Sequence, residues 1–348
     1  MEIQENIALG PLTTLQVGGP ARYYAEAMTT DEVREALRFA GARNLPLFVL
    51  GGGSNLVISD RGWPGLVLRI AISGIQHQHG HGIAYFEAGA GEIWDDFVAS
   101  VVTHTCAGVE CLSGIPGSVG GTPVQNVGAY GQEVAETIES VQAIDVKSGE
   151  EIEFSREECG FRYRTSIFNT TERGRHVITR VRFQLIPHGV PKLAYADLKK
   201  HFVRQETPPS LLEVREAVRQ IRASKGMLIT AGDPDRRSAG SFFKNPILTA
   251  EEFERLKTRA AERGLEVPSY PALEAQRKVS AAWLVENAGF AKGYAMGKAG
   301  ISSKHALALV NRGGASAGDI VALKDEVQKK VKSVWDVRLE PEPVFVGF

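Results

Sequence analysis

The chain has 348 residues, 43% of them apolar and 23% charged, with a formal net charge of −1. That length calls for two or three domains with an ample core, and the composition is that of an ordinary soluble globular protein. No basic field argues for nucleic acid or an anionic membrane, so an anionic small ligand has to be held by local Arg and Lys. Cys106, Cys111 and Cys159 are odd in number and lack framework or Cys-x-x-Cys spacing, as expected for packing cysteines in a reducing compartment. Residues 1–9 carry no basic-then-apolar signal, and no apolar run approaches membrane-spanning length. A cytoplasmic protein without membrane insertion is expected.

Thr13 to Pro20 is a short extended piece closing in a Gly-Gly-Pro turn. Tyr23 to Ala27 reads as a strand. Thr29 and Glu32 have capping-box spacing and open a helix with Val33, Ala36, Leu37 and Ala40 on its apolar face. Pro46 to Leu50 is a wholly apolar run, expected to be a strand buried on both faces. It empties into Gly51-Gly52-Gly53-Ser54-Asn55-Leu56, and Val57-Ile58 and Leu66-Val67-Leu68 follow as strands. This is a β-α-β unit. A glycine triplet after a strand lets successive N–H groups point at one anion, and Ser54 and Asn55 add side-chain donors. It is not Gly-x-Gly-x-x-Gly and no helix pattern follows at once, so a Rossmann fingerprint is not supported. A plain flexible turn fits the triplet equally well.

His77, His79 and His81 alternate, but no acidic or Cys partner is spaced to complete a metal set, and Gly74, Gly80 and Gly82 suggest a solvated hairpin tip. No metal is expected. Ile93 to His104 reads as a helix with Trp94, Phe97, Val98, Val101 and Val102 inward. Residues 114–131 form a second glycine-rich stretch, nearly free of charge. A loop of that kind does not belong in water. It could wrap a large ligand through backbone N–H groups, Ser118, Gln125 and Asn126. Two separated cradles suit a ligand with two phosphates and flat rings at its ends.

Val141 to Val146 and Glu151 to Phe154 read as a hairpin, and His176 to Leu185 as an alternating strand. Between them two arginines, Arg162 and Arg164, flank Tyr163; either could grip a carboxylate or simply pair at the surface. Thr207-Pro208-Pro209 breaks the chain and is expected to open a second domain. Leu211 to Ser224 is a helix with Val214, Ala217, Val218 and Ile221 inward. Arg222 and Lys225 at its end point the same way, whether toward a ligand or only complementing the dipole. The run Ser238-Ala239-Gly240-Ser241-Phe242-Phe243-Lys244-Asn245-Pro246 is unusual. Gly240 permits a tight bend with the Ser241 hydroxyl held forward, Phe242 and Phe243 dry its flanks, and Lys244 and Asn245 offer donors. A loop carrying a buried Phe pair fits the same residues. Ala250–Arg263, Val279–Asn287 and Asp319–Val334 read as helices, and Leu307–Val310 as a strand after the lone His305. Near the end, Glu340 and Glu342 alternate with Pro341 and Pro343, which place a carboxylate rigidly.

The motifs Leu50-Gly51-Gly52-Gly53-Ser54-Asn55, Ile115-Pro116-Gly117-Ser118-Val119-Gly120-Gly121 and Gln125-Asn126-Val127-Gly128-Ala129-Tyr130-Gly131 together resemble the bacterial UDP-N-acetylenolpyruvoylglucosamine reductase family. Phe161 to Phe168 matches that family's Phe-x-Tyr-Arg-x-Ser-x-Phe pattern, and Leu339-Glu340-Pro341-Glu342 its terminal motif. The resemblance covers essentially the whole chain. It implies an α+β fold: an FAD-binding domain of the vanillyl-alcohol-oxidase (PCMH) type in two lobes, 1–68 and 69–200, a C-terminal α+β substrate-binding domain, 201–335, and a C-terminal strand, 336–348, returning to the active site. It implies non-covalent FAD held by Gly51, Gly52, Gly53, Ser54, Asn55, Leu56, Pro116, Gly117, Ser118, Gly120, Gly121, Gln125, Asn126, Gly128 and Ala129. It implies Arg164, Ser241 and Glu342 as the catalytic set, and Tyr130, Tyr195, Arg222, Lys225, Gly240, Asn245 and His305 as substrate contacts. Tyr195 marks the family branch with a substrate-loop tyrosine.

The activity so implied is reduction of UDP-N-acetylglucosamine enolpyruvate by NADPH through FAD, in peptidoglycan precursor synthesis, by a cytoplasmic monomer. Such a reduction needs a hydride at one carbon and a proton at its neighbour, with an enolate held between. Arg164 and a protonated Glu342 suit the enolate, and Ser241 suits the proton, backed by Lys244 or water. A second reading is an FAD-dependent alcohol or sugar oxidase of the same fold. A third is a non-catalytic flavin or nucleotide-sugar binder. Neither calls for the set Arg164, Ser241 and Glu342.

Overall fold

A computed structural model describes every residue except 81, 273 and 274. His81, the third of the alternating histidines, therefore lies outside the described residues. The chain divides into two compact units. The first comprises Met1–Ile7, Pro20–Gly53 and Trp63–Ser224. The second comprises Ala8–Gly19, Ser54–Gly62 and Lys225–Phe348. This division differs from the expected boundaries at 68 and 200: two short early segments join the second unit, and helix Leu211–Ser224 stays with the first.

In the first unit, strands Pro20–Ala27, Trp63–Ile70 and Leu47–Leu50 run parallel in that spatial order. Helix Thr30–Ala42 covers them, opened by Thr29, whose side chain accepts the Glu32 N–H at 3.2 Å. Its buried residues are Val33, Ala36, Leu37 and Ala40, the expected stripe. Leu47–Leu50 is not buried on both faces. It lies at the sheet edge with Leu47, Phe48 and Val49 half-buried. The run Leu56–Ile58, expected as the next strand of the β-α-β unit, leaves this sheet. It pairs in parallel with Val344–Val346 in the second unit.

The second sheet of the first unit is antiparallel, in the order Glu151–Ser155, Ile138–Asp145, His176–Pro187, Ile83–Gly89 and Ile75–Gly80. Helix Trp94–Thr103 packs Trp94, Phe97, Val98, Val101 and Val102 inward, with the Phe97 and Phe183 rings 4.6 Å apart. Helix Leu211–Ser224 also belongs here and not to the second unit. Its face Val214, Ala217 and Val218 buries with Cys111, Tyr130 and Leu198. The Pro208-Pro209 break is a corner within the first unit, because burial of that face outweighs the local chain break.

In the second unit, strands Ser238–Ser241, Ala308–Asn311, Ala299–Ile301 and Ala295–Met296 form one sheet. Helix Ala317–Trp335 packs on it, and helices Ala250–Ala261 and Ala281–Glu286 pack against that helix in the same core. Helices Ala250–Ala261 and Ala317–Trp335 open with capping boxes, Thr249 with Glu252 and Ser316 with Asp319. The last also rests on Asp60, whose carboxylate accepts the N–H groups of Ala317 (2.7 Å) and Gly318 (2.9 Å), a charge where the helix dipole favours one. Phe242, Phe243, Leu284, Val327 and Trp335 share a core with Leu15, Val17 and Val57. The two early segments are thus part of this unit's interior, not appendages. No helix among the described residues is long and apolar enough to cross a membrane.

Candidate active site

The two glycine-rich stretches meet in the first unit. A Cβ on Gly52 would lie 2.5 Å from Gly117 Cα, and one on Gly51 would lie 2.8 Å from Ser118 Oγ. Only glycines allow the two backbones to come so close. The second stretch is pinned from behind: Trp94 N–H donates to Gly117 O (3.1 Å), Val119 N–H to Glu92 O (2.9 Å) and Gly120 N–H to Ala90 O (2.9 Å). Ser118 is 7% exposed, and its Oγ is a buried polar atom without a hydrogen-bond partner among the described residues. A buried hydroxyl without a partner is costly. A cradle of close-packed glycine backbone with one orphaned hydroxyl is the donor set a phosphate of FAD would complete.

Past Gly121 the stretch turns into a brace. Asn126 is 1% exposed. Its Nδ2 donates to Glu133 Oε2 (2.8 Å) and Arg162 O (3.0 Å), and its Oδ1 accepts the Ala135 N–H (3.1 Å). The Asn126 amide thus bonds inward on both its nitrogen and its oxygen and holds the turn that begins at Arg162. Arg164 Nη2 donates to Gly128 O at 2.8 Å. Asn126, Tyr130 and Arg164 all sit at positive φ, +43°, +49° and +56°, which non-glycine residues adopt only where surroundings over-determine them.

Tyr130 is met edge-on by Tyr195, with ring centroids 5.3 Å apart. Arg222 is buried beside Tyr130, and its Nε donates to Gly114 O at 3.0 Å. Burial pushes the guanidinium down from its ordinary value, while Tyr130 and Asp95 oppose that. Asp95 accepts from the Gly114 N–H (2.6 Å) and from Arg215 Nη1 (2.6 Å), and it also pairs with Arg219. Desolvation raises this carboxyl, but Arg215, Gly114 and Arg219 outweigh it, and the net shift is downward. Both the N–H and the carbonyl of Gly114 are thus clamped by helix side chains. Ile221 is only half-buried, and Arg222 takes the inward position beside Val218. Lys225 begins the second unit, after the helix has ended.

In the second unit, Ser238 pairs with Val310 and Ser241 with Ala308, so three steps on one strand face two on the other. Gly240 sits at φ +70° within this bulge. A Cβ there would meet open space, so glycine is needed for its backbone angle and not for room. A bulge re-aims the following side chain. It turns Ser241 so that its Oγ lies 3.4 Å from His305 Nε2. Phe242 and Phe243 bury beneath it.

Glu342 is held by its backbone on two sides. Its N–H donates to Phe242 O (2.9 Å), and its carbonyl accepts from Asn55 Nδ2 (3.3 Å). Asn55 O accepts the Val344 N–H at 2.9 Å. Ser54, Asn55 and Leu56 fall in the second unit, where the Asn55 amide bonds the chain at Glu342 and Leu56 pairs with Val344. One expectation changes here. Lys244 does not back Ser241: its N–H donates to Glu340 O (2.9 Å) and its Nζ lies 4.0 Å from Glu340 Oε2. Asn245 Oδ1 accepts the Ala281 N–H (2.9 Å) at the start of a helix.

Sequence reasoning passed over two residues. Thr14 Oγ1 donates to Ser238 O (2.6 Å) and lies 3.3 Å from Ser54 O, tying the first glycine turn's exit to the serine strand. Asp235 gathers the turn before His305. Its only signal in the sequence is Asp233-Pro234-Asp235 shortly before Ser238.

The glycine cradle with its orphaned hydroxyl suits a bound phosphate, and residues 21–155 match the family model of the FAD binding domain, which makes this an FAD-binding protein. Residues 233–346 match the family model of the UDP-N-acetylenolpyruvoylglucosamine reductase C-terminal domain. The UDP-N-acetylenolpyruvoylglucosamine reductase of Thermobifida fusca is 46% identical over 348 residues, 98% of this chain and 97% of that one. The one from Streptomyces coelicolor is 48% identical over 345 residues, 97% of this chain and 89% of that one. The crystal structure of UDP-N-acetylenolpyruvylglucosamine reductase from Thermus caldophilus aligns over 99% of both chains, with TM-score 0.68 and 27% identity. The chain belongs to the UDP-N-acetylenolpyruvoylglucosamine reductase family. Its fold is α+β, an FAD-binding domain with a C-terminal domain of that family.

Proposed function

We propose that this chain reduces the enolpyruvyl group of UDP-N-acetylglucosamine enolpyruvate to give UDP-N-acetylmuramate, with FAD bound and NADPH as reductant. The observation that carries the reading is Ser241 re-aimed by the Gly240 bulge in a strand whose next carbonyl, that of Phe242, holds the Glu342 backbone. Bound FAD would supply the hydride. Gly51, Gly52, Gly117 and Ser118 are the residues proposed to hold its phosphates.

Each proposed catalytic residue has a separate task. Ser241 gives its proton to the substrate carbon next to the one that receives the hydride. Arg164, a cation fixed by Gly128 O, stabilises the enolate charge. Glu342, with its backbone fixed, is the second group for that charge. Tyr130, Tyr195, Arg222, Lys225, Gly240, Asn245 and His305 are the proposed substrate contacts. We propose that the protein works as a cytoplasmic monomer, where nucleotide sugars and NADPH are available.

An anaerobic titration tests the reading. The purified protein should be yellow, bleach with NADPH, and regain colour with UDP-N-acetylglucosamine enolpyruvate. Recovery only with oxygen would favour an oxidase instead. A colourless protein unable to take up FAD would undo the assignment of the glycine cradle.

A further inference from the structure

The turn Ser302–His305 is unusually well bonded for a stretch without regular structure. Asp235, 7% exposed, lies beneath it. Its Oδ2 accepts from Ser302 Oγ (2.8 Å), Ser303 N–H (2.9 Å) and Ser303 Oγ (2.8 Å). Ser302 is fully buried, and its Oγ in turn accepts the N–H groups of Lys304 (3.0 Å) and His305 (3.2 Å). Lys304 Nζ pairs with Asp233 Oδ2 at 2.7 Å. Gly226 closes the turn from outside, at φ +64°, where a Cβ would lie 3.3 Å from Ser302 Oγ. The chain of contacts then ends at His305 Nε2, 3.4 Å from Ser241 Oγ. Three donors on one oxygen of a buried carboxylate are more than a surface turn needs.

We propose that Asp235 is a positioning residue for proton donation: through Ser302 and Ser303 it fixes His305 so that the Nε2–H holds the oxygen of Ser241 as its proton leaves. This rests on the function proposed above. The proton balance is simple. The Ser241 O–H bond breaks and a C–H bond forms on the substrate. The Ser241 oxygen is left as an alkoxide bonded by His305 Nε2–H, and water returns its proton afterwards. His305 neither gains nor loses a proton. Burial above all, with Lys225 and Lys292 adding, pushes its pKa down from 6.5 to about 4. The ring is therefore neutral near pH 7 and has a single N–H. A proton leaving Ser241 toward substrate needs a donor behind the oxygen, which puts that hydrogen on Nε2.

Anaerobic stopped-flow on the full-length holoenzyme separates the two half-reactions. In Asp235→Ala, reoxidation by UDP-N-acetylglucosamine enolpyruvate at saturating substrate should slow roughly 10- to 100-fold, with flavin reduction by NADPH within about twofold of wild type. The solvent deuterium isotope effect on reoxidation should rise, which loss of mere packing would not cause. His305→Gln, which keeps an N–H donor, should retain most of the rate that His305→Leu loses. If Asp235→Ala does not fold, the His305 pair and Ser302→Ala decide alone. Reoxidation at wild-type rate in these variants, or equal loss in both half-reactions, overturns the proposal. A wild-type protein reduced by NADPH but never reoxidised by this substrate overturns the proposed function itself.

Discussion

The N–H of Glu342 donates to the carbonyl of Phe242 at 2.9 Å, one residue beyond Ser241. Two of the three proposed catalytic residues are therefore coupled through one backbone hydrogen bond. The spacing of their backbones is fixed by that bond, next to Pro341 and Pro343.

Ser241→Ala removes the proposed proton donor and its contact with His305 Nε2, and little packing, since the residue is only half-buried. Flavin reduction by NADPH should stay near wild type. Reoxidation by the enolpyruvyl substrate should fall by roughly 10²- to 10⁴-fold. Single-turnover absorbance of the flavin reads both, and equal loss in both would remove Ser241 from the proton step.

Gly240→Ala asks whether the backbone angle matters. The site has room for a methyl group but sits at φ +70°, which costs an L-residue about 1–2 kcal/mol. A lower melting temperature should come with slower reoxidation as the bulge relaxes. A variant that is less stable yet fully active would show that the bulge does not aim Ser241.

Gly52→Ala forces a Cβ to within 2.5 Å of Gly117 Cα. Backbone has to move, at a cost of about 1–3 kcal/mol, which corresponds to FAD affinity lower by roughly ten- to a hundredfold if the shift falls on the cradle. Flavin retained on gel filtration measures it. Gly41→Ala, in a helix with open space at the Cβ, is the control: it should keep FAD and add about 0.5–1 kcal/mol of stability.

Asn126→Ala should destabilise the protein by about 3 kcal/mol, because Glu133, Arg162 and Ala135 lose their buried partner. Asn126→Asp should not rescue it, since the new carboxylate would face Glu133. Denaturant unfolding of the two variants tests this. A small effect of Asn126→Ala with loss of FAD would mark Asn126 as a cofactor ligand.

His305 titrates at about 4 in the folded chain against an ordinary 6.5. Between those values the unfolded chain carries the extra proton, so stability from this group is complete above the upper value. It declines as pH falls through the window and levels off below about 4, by about 3 kcal/mol at most. Urea midpoints at pH 7 and pH 4.5 should differ less in His305→Gln than in wild type. An identical difference in both would mean the buried ring is not the titrating group.

Local structure was well legible in the sequence. The cap at Thr29, the apolar faces of Thr30–Ala42 and Trp94–Thr103, and the span of Leu211–Ser224 follow from side chains three and four residues apart. Gly240 and Ser241 could be singled out because glycine before a serine has a backbone meaning. Long-range pairing was not legible. Nothing near Leu56 indicates that its partner is Val344. The inward turn of the Asn126 amide was not legible either, because amides in glycine-rich loops can point either way, and only Glu133 and Arg162 decide which. Asp235 was invisible because its value lies in a turn some 70 residues later, Ser302–His305.

The second unit takes Ala8–Gly19 and Ser54–Gly62 from the N-terminal part of the chain. Leu15, Val17 and Val57 complete its interior. The two units are therefore interlaced in sequence and are not beads on a string. A gene fragment starting at Lys225 would encode a body missing part of its core and the strand that pairs with Val344–Val346. Recombination between relatives cannot exchange this half as a cassette. It would have to carry the two distant inserts along, so the halves are constrained to be inherited together.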